Sequence, residues 1–203
     1  MLVHPQEIDF GRLDAGTETG HESFVIVNTG DEDLTIFAPD LVSGNLRFEI
    51  DEYESEEITI AGGELLEVNV YYNPETLETN GAYVQVEGND EENPDTQVLL
   101  TGGGDAPIMT VTPDEFDYGD ISIGCDNEER ITIRNDGNQE LVIETVTQMV
   151  TQPADILMEM GSLPAPPWSI DPGNELDFLV SYIPTDIGND SSQIEITGND
   201  PVL

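Results

Sequence analysis

The chain has 203 residues, with 44 acidic side chains against four arginines and no lysine, for a formal net charge of -40. Such a charge repels nucleic-acid phosphates and anionic membrane surfaces, and leaves cations, basic proteins and saline solvent as compatible surroundings. A hydrophobic fraction of 37%, set in short regular clusters, argues for folded structure rather than an acidic tail, while no apolar run approaches the roughly 18 residues of a membrane span and no signal-peptide pattern follows Met1.

In chain order, "PQEIDFG" (5 to 11) opens the first strand-like stretch, and "FVIVN" (24 to 28) the next. "LEVNVYY" (66 to 72) and "YVQVEG" (83 to 88) then alternate apolar and polar residues and are rich in Val and Tyr. A period of two over such lengths, bounded by Gly, Asn, Asp and Pro, marks half-buried strands. "NTGDED" (28 to 33) separates two such runs with an Asn/Gly pair and is expected to be a tight hairpin turn using positive φ. "TQVLLTGG" (96 to 103) reads as a closing strand, and the glycines, acid and proline of "LTGGGDAP" (100 to 107) read as a linker.

The pattern then begins again. "PDEFDYG" (113 to 119) answers "PQEIDFG", and "ITIRNDGNQELVI" (131 to 143) answers "FVIVNTGDEDLTI" (24 to 36). "GNELDFLVSYIP" (173 to 184) follows "GELLEVNVYYNP" (63 to 74), and "IEITGND" (194 to 200) follows "VQVEGND" (84 to 90). The expectation is two homologous domains, 1–104 and 105–203. Each has the length and the density of short strands of an immunoglobulin-like β-sandwich, so the fold class is all-β. Copy two stops before any counterpart of "TQVLLTGG", so it is expected to lack its last strand and the chain to be a piece of a longer protein. That leaves Gln193, Ile194, Glu195, Ile196 and Thr197 as an open strand edge, with Ile194 and Ile196 facing the core, for a strand from continuing sequence or from a neighbouring or identical chain.

These same elements, "IDFG" followed by Gly16, "VNTGDEDLTI", "GGELLEVNVYYNP" and "VLLTGGG", resemble the hydin-like or ASH (abnormal spindle and hydin) modules, also found in bacterial choice-of-anchor D surface proteins. The resemblance covers both copies. It implies a sandwich related to the PapD and major sperm protein folds, used in tandem as a structural or interaction module, and it supplies no catalytic residues. Eukaryotic members are associated with microtubules, but acidic tubulin would repel a chain of charge -40, which favours the bacterial surface relatives.

Chemistry is sparse. His4 and His21 lack a nucleophile elbow and are expected at the surface. Acid pairs are too frequent to identify a glycosidase, and "TGGGDAP" lacks the lysine and helix of a phosphate loop. The lone Cys125 sits among acids and reads as inert. Trp168 falls in register with Ile58, and Ile170 with Ile60, which places the indole in the core. The sequon at Asn189 is attributed to chance. One metal reading remains: immunoglobulin topology would bring Asp136, Asn199 and Asp200 near the linker residue Asp105 as a weak calcium site. The function expected is a noncatalytic structural or spacer module of an extracellular or cell-surface repeat protein. The alternative is an adhesion or assembly subunit, of a fibre or virion, binding a partner strand or calcium; neither reading is an enzyme.

Overall fold

The computed structural model describes residues 1–203 other than 18, 45, 151–154, 160–162 and 203. The chain divides into two compact units, Met1–Asp105 and Ala106–Leu203. Every element among the described residues is a strand.

The first unit contains β1 (Leu2–His4), β2 (Glu7–Asp14), β3 (Gly20–Val27), β4 (Leu34–Phe37), β5 (Asp40–Gly44), β6 (Phe48–Ile50), β7 (Glu57–Ile60), β8 (Leu65–Tyr72), β9 (Thr79–Glu87) and β10 (Asp95–Asp105). They form one sheet in the order β1-β3-β8-β6, a second in the order β2-β10-β9-β5, and the pair β4-β7. All neighbours are antiparallel except β10 and β2, which run parallel. The alternation seen in the sequence supplies the core: Phe24, Ile26, Val68 and Val70 from one sheet pack against Val84, Val86, Val98 and Leu100 from the other. Their polar neighbours face outwards, as the two-residue period of a strand requires.

The second unit contains β11 (Met109–Thr112), β12 (Asn127–Asn135), β13 (Leu141–Val150), β14 (Ile156–Glu159), β15 (Trp168–Ile170), β16 (Glu175–Tyr182) and β17 (Ser192–Gly198). Its sheets have the orders β11-β12-β16-β14 and β15-β13-β17. The first reproduces β1-β3-β8-β6 strand for strand. In the second, β17 takes the place of β9 and, among the described residues, has a strand neighbour on one side only. Trp168 and Ile170 are core residues, and the indole Nε1 donates to the Pro164 carbonyl at 2.7 Å.

Two expectations about connections are corrected. "NTGDED" and "NDGNQE" are not hairpin turns, because β3 pairs with β1 and β8 while β4 pairs with β7, so each corner carries the chain from one sheet to the other. Gly30 and Gly137 are not among the positive-φ glycines. Gly137 is required instead by close approach, since a Cβ there would lie 2.2 Å from the Ala106 carbonyl oxygen. The glycines of "LTGGGDAP" are likewise not a loose linker but the end of β10. They are buried, and a Cβ at Gly102 would strike the Tyr72 ring at 2.5 Å.

Candidate functional site: a groove beside the last strand

The groove lies where the two units differ in strand pairing. In the first unit β10 lies between β9 and β2, and among the described residues β2 has no other strand partner. The matching segment of the second unit, "PDEFDYG" at 113 to 119, keeps the local turn: Gly119 N–H donates to Asp117 Oδ1 at 2.8 Å, as Gly11 N–H donates to Asp9 Oδ1 at 2.9 Å. Both glycines have positive φ, 67° and 66°. Beyond Thr112 the segment is nevertheless not a strand, and among the described residues no strand pairs with it. Between this segment and β17 lies a groove of ≈ 810 Å³, lined by Phe116, Tyr118, Ile131, Ile194 and Ile196 among others.

Matched residues differ in exposure between the two units. Val84 and Val86 of β9 are fully buried, whereas Ile194 and Ile196 of β17 are half-buried. Ile8 is 5% exposed and its counterpart Phe116 is 47% exposed. Ala15 is 6% exposed against 55% for Ile123. The floor of the groove is otherwise conservative. Tyr182 donates its hydroxyl to Asp190 Oδ2 at 2.7 Å, as Tyr72 does to Asn80 Oδ1 at 2.6 Å. Tyr118 lies 5.4 Å from Tyr182 by ring centroid, as Phe10 lies 5.5 Å from Tyr72.

Charge is where the two units part. Arg12 in the first unit donates to Asp105 and to the Gly104 carbonyl, fastening the end of β10. Its counterpart by register is Asp120, which lines the groove together with Asp114, Asp117, Glu129, Asp186 and Asp190; no lysine or arginine is among the described lining residues. The hydrogen bond to Asp190, burial and the nearby Asp155 and Asp186 push the Tyr182 phenol up to about 12. Burial and Glu129 raise that of Tyr118. Both rings are therefore neutral near pH 7.

Gln193, Ile194, Glu195, Ile196 and Thr197 lie in β17, paired with Met149, Gln148, Thr147, Val146 and Thr145 of β13 on its inner side. The four residues considered for calcium have protein partners. Asp105 meets Arg12, and Asp136 Oδ1 lies 2.9 Å from Arg134 Nε. Asn199 Oδ1 accepts from Val142 N–H at 2.8 Å. Asp200 Oδ2 accepts from Met109 N–H at 2.7 Å, and its Oδ1 from Val202 N–H at 3.0 Å. Among the described residues no group of three or more His, Cys, Asp or Glu is arranged to hold a metal. His4, His21 and Cys125 are exposed, and His21 stacks on Tyr71 at 4.9 Å. Sequence reasoning singled out β17 and did not single out Phe116, Tyr118 and Asp120, which line the groove with Gln193, Ile194 and Ile196. The signal was available: "PDEFDYG" matches "PQEIDFG", and the segment it matches pairs with β10.

A family model described as HYDIN/CFA65/VesB-like, Ig-like domain matches residues 1–103. No curated protein matches the sequence. Among solved structures, the chain is similar to the ASH/PapD-like domain 7 of human CEP192, at 13% identity and a TM-score of 0.42 over 51% of this chain and 83% of that one. A protein of unknown function from Porphyromonas gingivalis W83 matches at 17% identity and a TM-score of 0.40, over 99% and 93% of the two chains. The CsuC–CsuE chaperone–tip adhesion subunit complex of Acinetobacter baumannii matches at 11% identity and a TM-score of 0.35, over 97% and 96%. Since the family model spans 103 of the 203 residues, the chain belongs to the HYDIN/CFA65/VesB-like family of Ig-like domains.

Proposed function

We propose that this chain is a noncatalytic structural module of an extracellular or cell-surface protein, whose sandwich units space and join other protein parts under tension. The observation that carries this reading is the parallel ladder between β2 and β10, running from Leu99 opposite Glu7 to Asp105 opposite Asp14. β2 lies near the start of the first unit and β10 ends it. Pulling the ends of the unit apart slides two parallel strands past each other, so the ladder hydrogen bonds are loaded together rather than broken one by one. The acidic surface suits saline surroundings, where repulsion among its carboxylates is screened.

Stretching single molecules from their two ends tests the proposal. Two unfolding events are expected, each releasing about 100 residues or roughly 350 Å of chain. The event from the second unit, in which 113 to 119 has no ladder partner among the described residues, should come at the lower force. Extension of the first unit at the same force as the second, or without a distinct event, would remove the basis for a tension-bearing role.

A further inference from the structure

We propose that Phe37 and Glu57 form an anchoring site on the first unit for an arginine side chain presented by a basic partner protein. The site lies wholly within the first unit and is independent of whether the units bear tension.

In the pair β4-β7, Leu34 and Ile36 lie opposite Ile60 and Ile58, and these residues pack in the core. Phe37 and the Glu57 opposite it therefore face outwards by the two-residue period of a strand. The Phe37 ring is 55% exposed, and directly opposite residues on one face hold their Cβ atoms about 5 Å apart. With Thr35, Ile36, Gly88 and Asn89 they line a hollow of ≈ 240 Å³. The end of β9 closes one side of it: Gly88 bridges Ile36, and Asn89 donates its N–H to the Thr35 carbonyl at 3.0 Å while its Oδ1 accepts from Thr35 N–H at 3.0 Å. A guanidinium group is flat, so it can lie on a ring face and turn its N–H edge to a carboxylate beside it, with its stem on the apolar wall. A compact ammonium group cannot meet both at once.

The second unit supplies the contrast, because it keeps the frame and changes the two side chains. Ile143 pairs with Gly198, and Asn199 exchanges the same two hydrogen bonds with Val142, at 2.8 and 3.2 Å. Both corners require glycine: a Cβ on Gly88 would lie 2.9 Å from Ile36 Cγ2, and one on Gly198 would lie 2.6 Å from the Val142 carbonyl oxygen. Yet Glu144 stands where the first unit has Phe37 and, by continuing the β13–β15 register, Pro167 stands where it has Glu57. The frame thus needs neither an exposed ring nor a carboxylate opposite it. Charge then selects the occupant. Arg12, Arg47, Arg130 and Arg134 are each engaged in an ion pair with a carboxylate of this chain, and two copies of net charge -40 repel one another, whereas a basic protein is attracted by the same field.

The test uses the 203-residue chain and the end-blocked tripeptides Gly-Arg-Gly, Gly-Lys-Gly and Gly-citrulline-Gly, the last an uncharged copy of the first. At about 0.15 M salt, where the Debye length is about 8 Å, the arginine peptide should shift the NMR signals of the Phe37 ring and the Thr35 and Asn89 amides saturably, with a dissociation constant of roughly 1–10 mM. The lysine peptide should bind at least about fivefold more weakly, and the citrulline peptide should not saturate. Phe37→Leu, which keeps an apolar side chain without a ring face, should remove the preference for arginine over lysine. Glu57→Gln should weaken the arginine peptide about fivefold. Both residues are exposed, and unchanged methyl signals of the core residues Ile26 and Val70 show that each variant is folded. Equal shifts at Val142 and Asn199 of the second unit would make the peptide a mere counter-ion of an acidic surface and overturn the proposal. So would equal binding of the lysine peptide, or no saturable shift at Phe37 in the folded protein. Cross-relaxation between the Phe37 ring and an arginine of this chain in the absence of peptide would mean that the site is filled from within, and overturn it too. Each of these results leaves the two-event stretching behaviour unaffected, so failure of the anchoring site is distinguishable from failure of the structural reading.

Discussion

Asn28 and Asn135 fasten equivalent corners with the same set of hydrogen bonds. The Nδ2 of Asn135 donates to the carbonyls of Gln139 at 2.7 Å and Ile170 at 2.8 Å, while Oδ1 accepts from Gly137 N–H at 2.9 Å. Asn28 repeats this with Glu32, Ile60 and Gly30 at 2.7, 2.8 and 3.0 Å. A buried side chain that satisfies backbone groups from two segments replaces the ladder bonds a hairpin would have made. Asn135→Ala is expected to cost the second unit about 2–3 kcal/mol through unsatisfied carbonyls. Asn135→Asp, although the same shape, should cost more, since it turns a donor into an anionic acceptor facing two carbonyl oxygens. Urea melts followed by Trp168 fluorescence would read both; an aspartate variant as stable as wild type would show that the corner does not depend on the donated bonds.

At the scale of elements, β10 shows why a glycine run need not be a linker. A Cβ on Gly104 would lie 2.1 Å from the Thr76 carbonyl oxygen, whereas one on Gly11, whose φ is 66°, meets nothing within 4 Å. The two sites therefore separate steric from torsional cost. Gly104→Ala should destabilise the first unit by about 3 kcal/mol or more, because backbone must move, and Gly11→Ala by only about 1–2 kcal/mol for the left-handed conformation. Hydrogen exchange of the β9 and β10 amides in the two variants would rank them; equal losses would mean that the strand relaxes away from Thr76. β2 and its counterpart at 113 to 119 make the complementary point: similar sequences keep the same Asx turn yet differ in strand state, since an edge segment becomes a strand only when a neighbour supplies its ladder.

Across the whole molecule, carboxylates repel one another with few cations to offset them. Six ion pairs among the described residues engage the four arginines and the amino terminus, so most of the 44 acids lack a cation. Charges across a domain interact when the Debye length is about 30 Å, at 0.01 M salt, and barely at about 3 Å, at 1 M. Thermal midpoints are expected to rise with NaCl between those limits. A flat or falling midpoint would mean that the carboxylates are spaced or solvated well enough for repulsion not to limit stability.

What the amino-acid sequence determined alone is whatever depends on local period and repetition. Val68, Val70, Val84 and Val86 declare their buried face by alternation, Trp168 and Ile170 take core positions by register with Ile58 and Ile60, and the repeat aligns "IEITGND" with "VQVEGND", the segments that become β17 and β9. Tertiary structure alone decided the partners. Whether "NTGDED" makes a hairpin or a sheet-to-sheet corner depends on which strands β3 and β4 pair with, and those lie well beyond the turn in sequence, at β8 and β7. Whether Gly102 to Gly104 flex or pack depends on Tyr72, Arg12 and Thr76. Which residues wall the groove with Phe116, Tyr118 and Asp120 depends on where β17 lies in space, because a β-ladder is a contact between segments and no single segment encodes its neighbour.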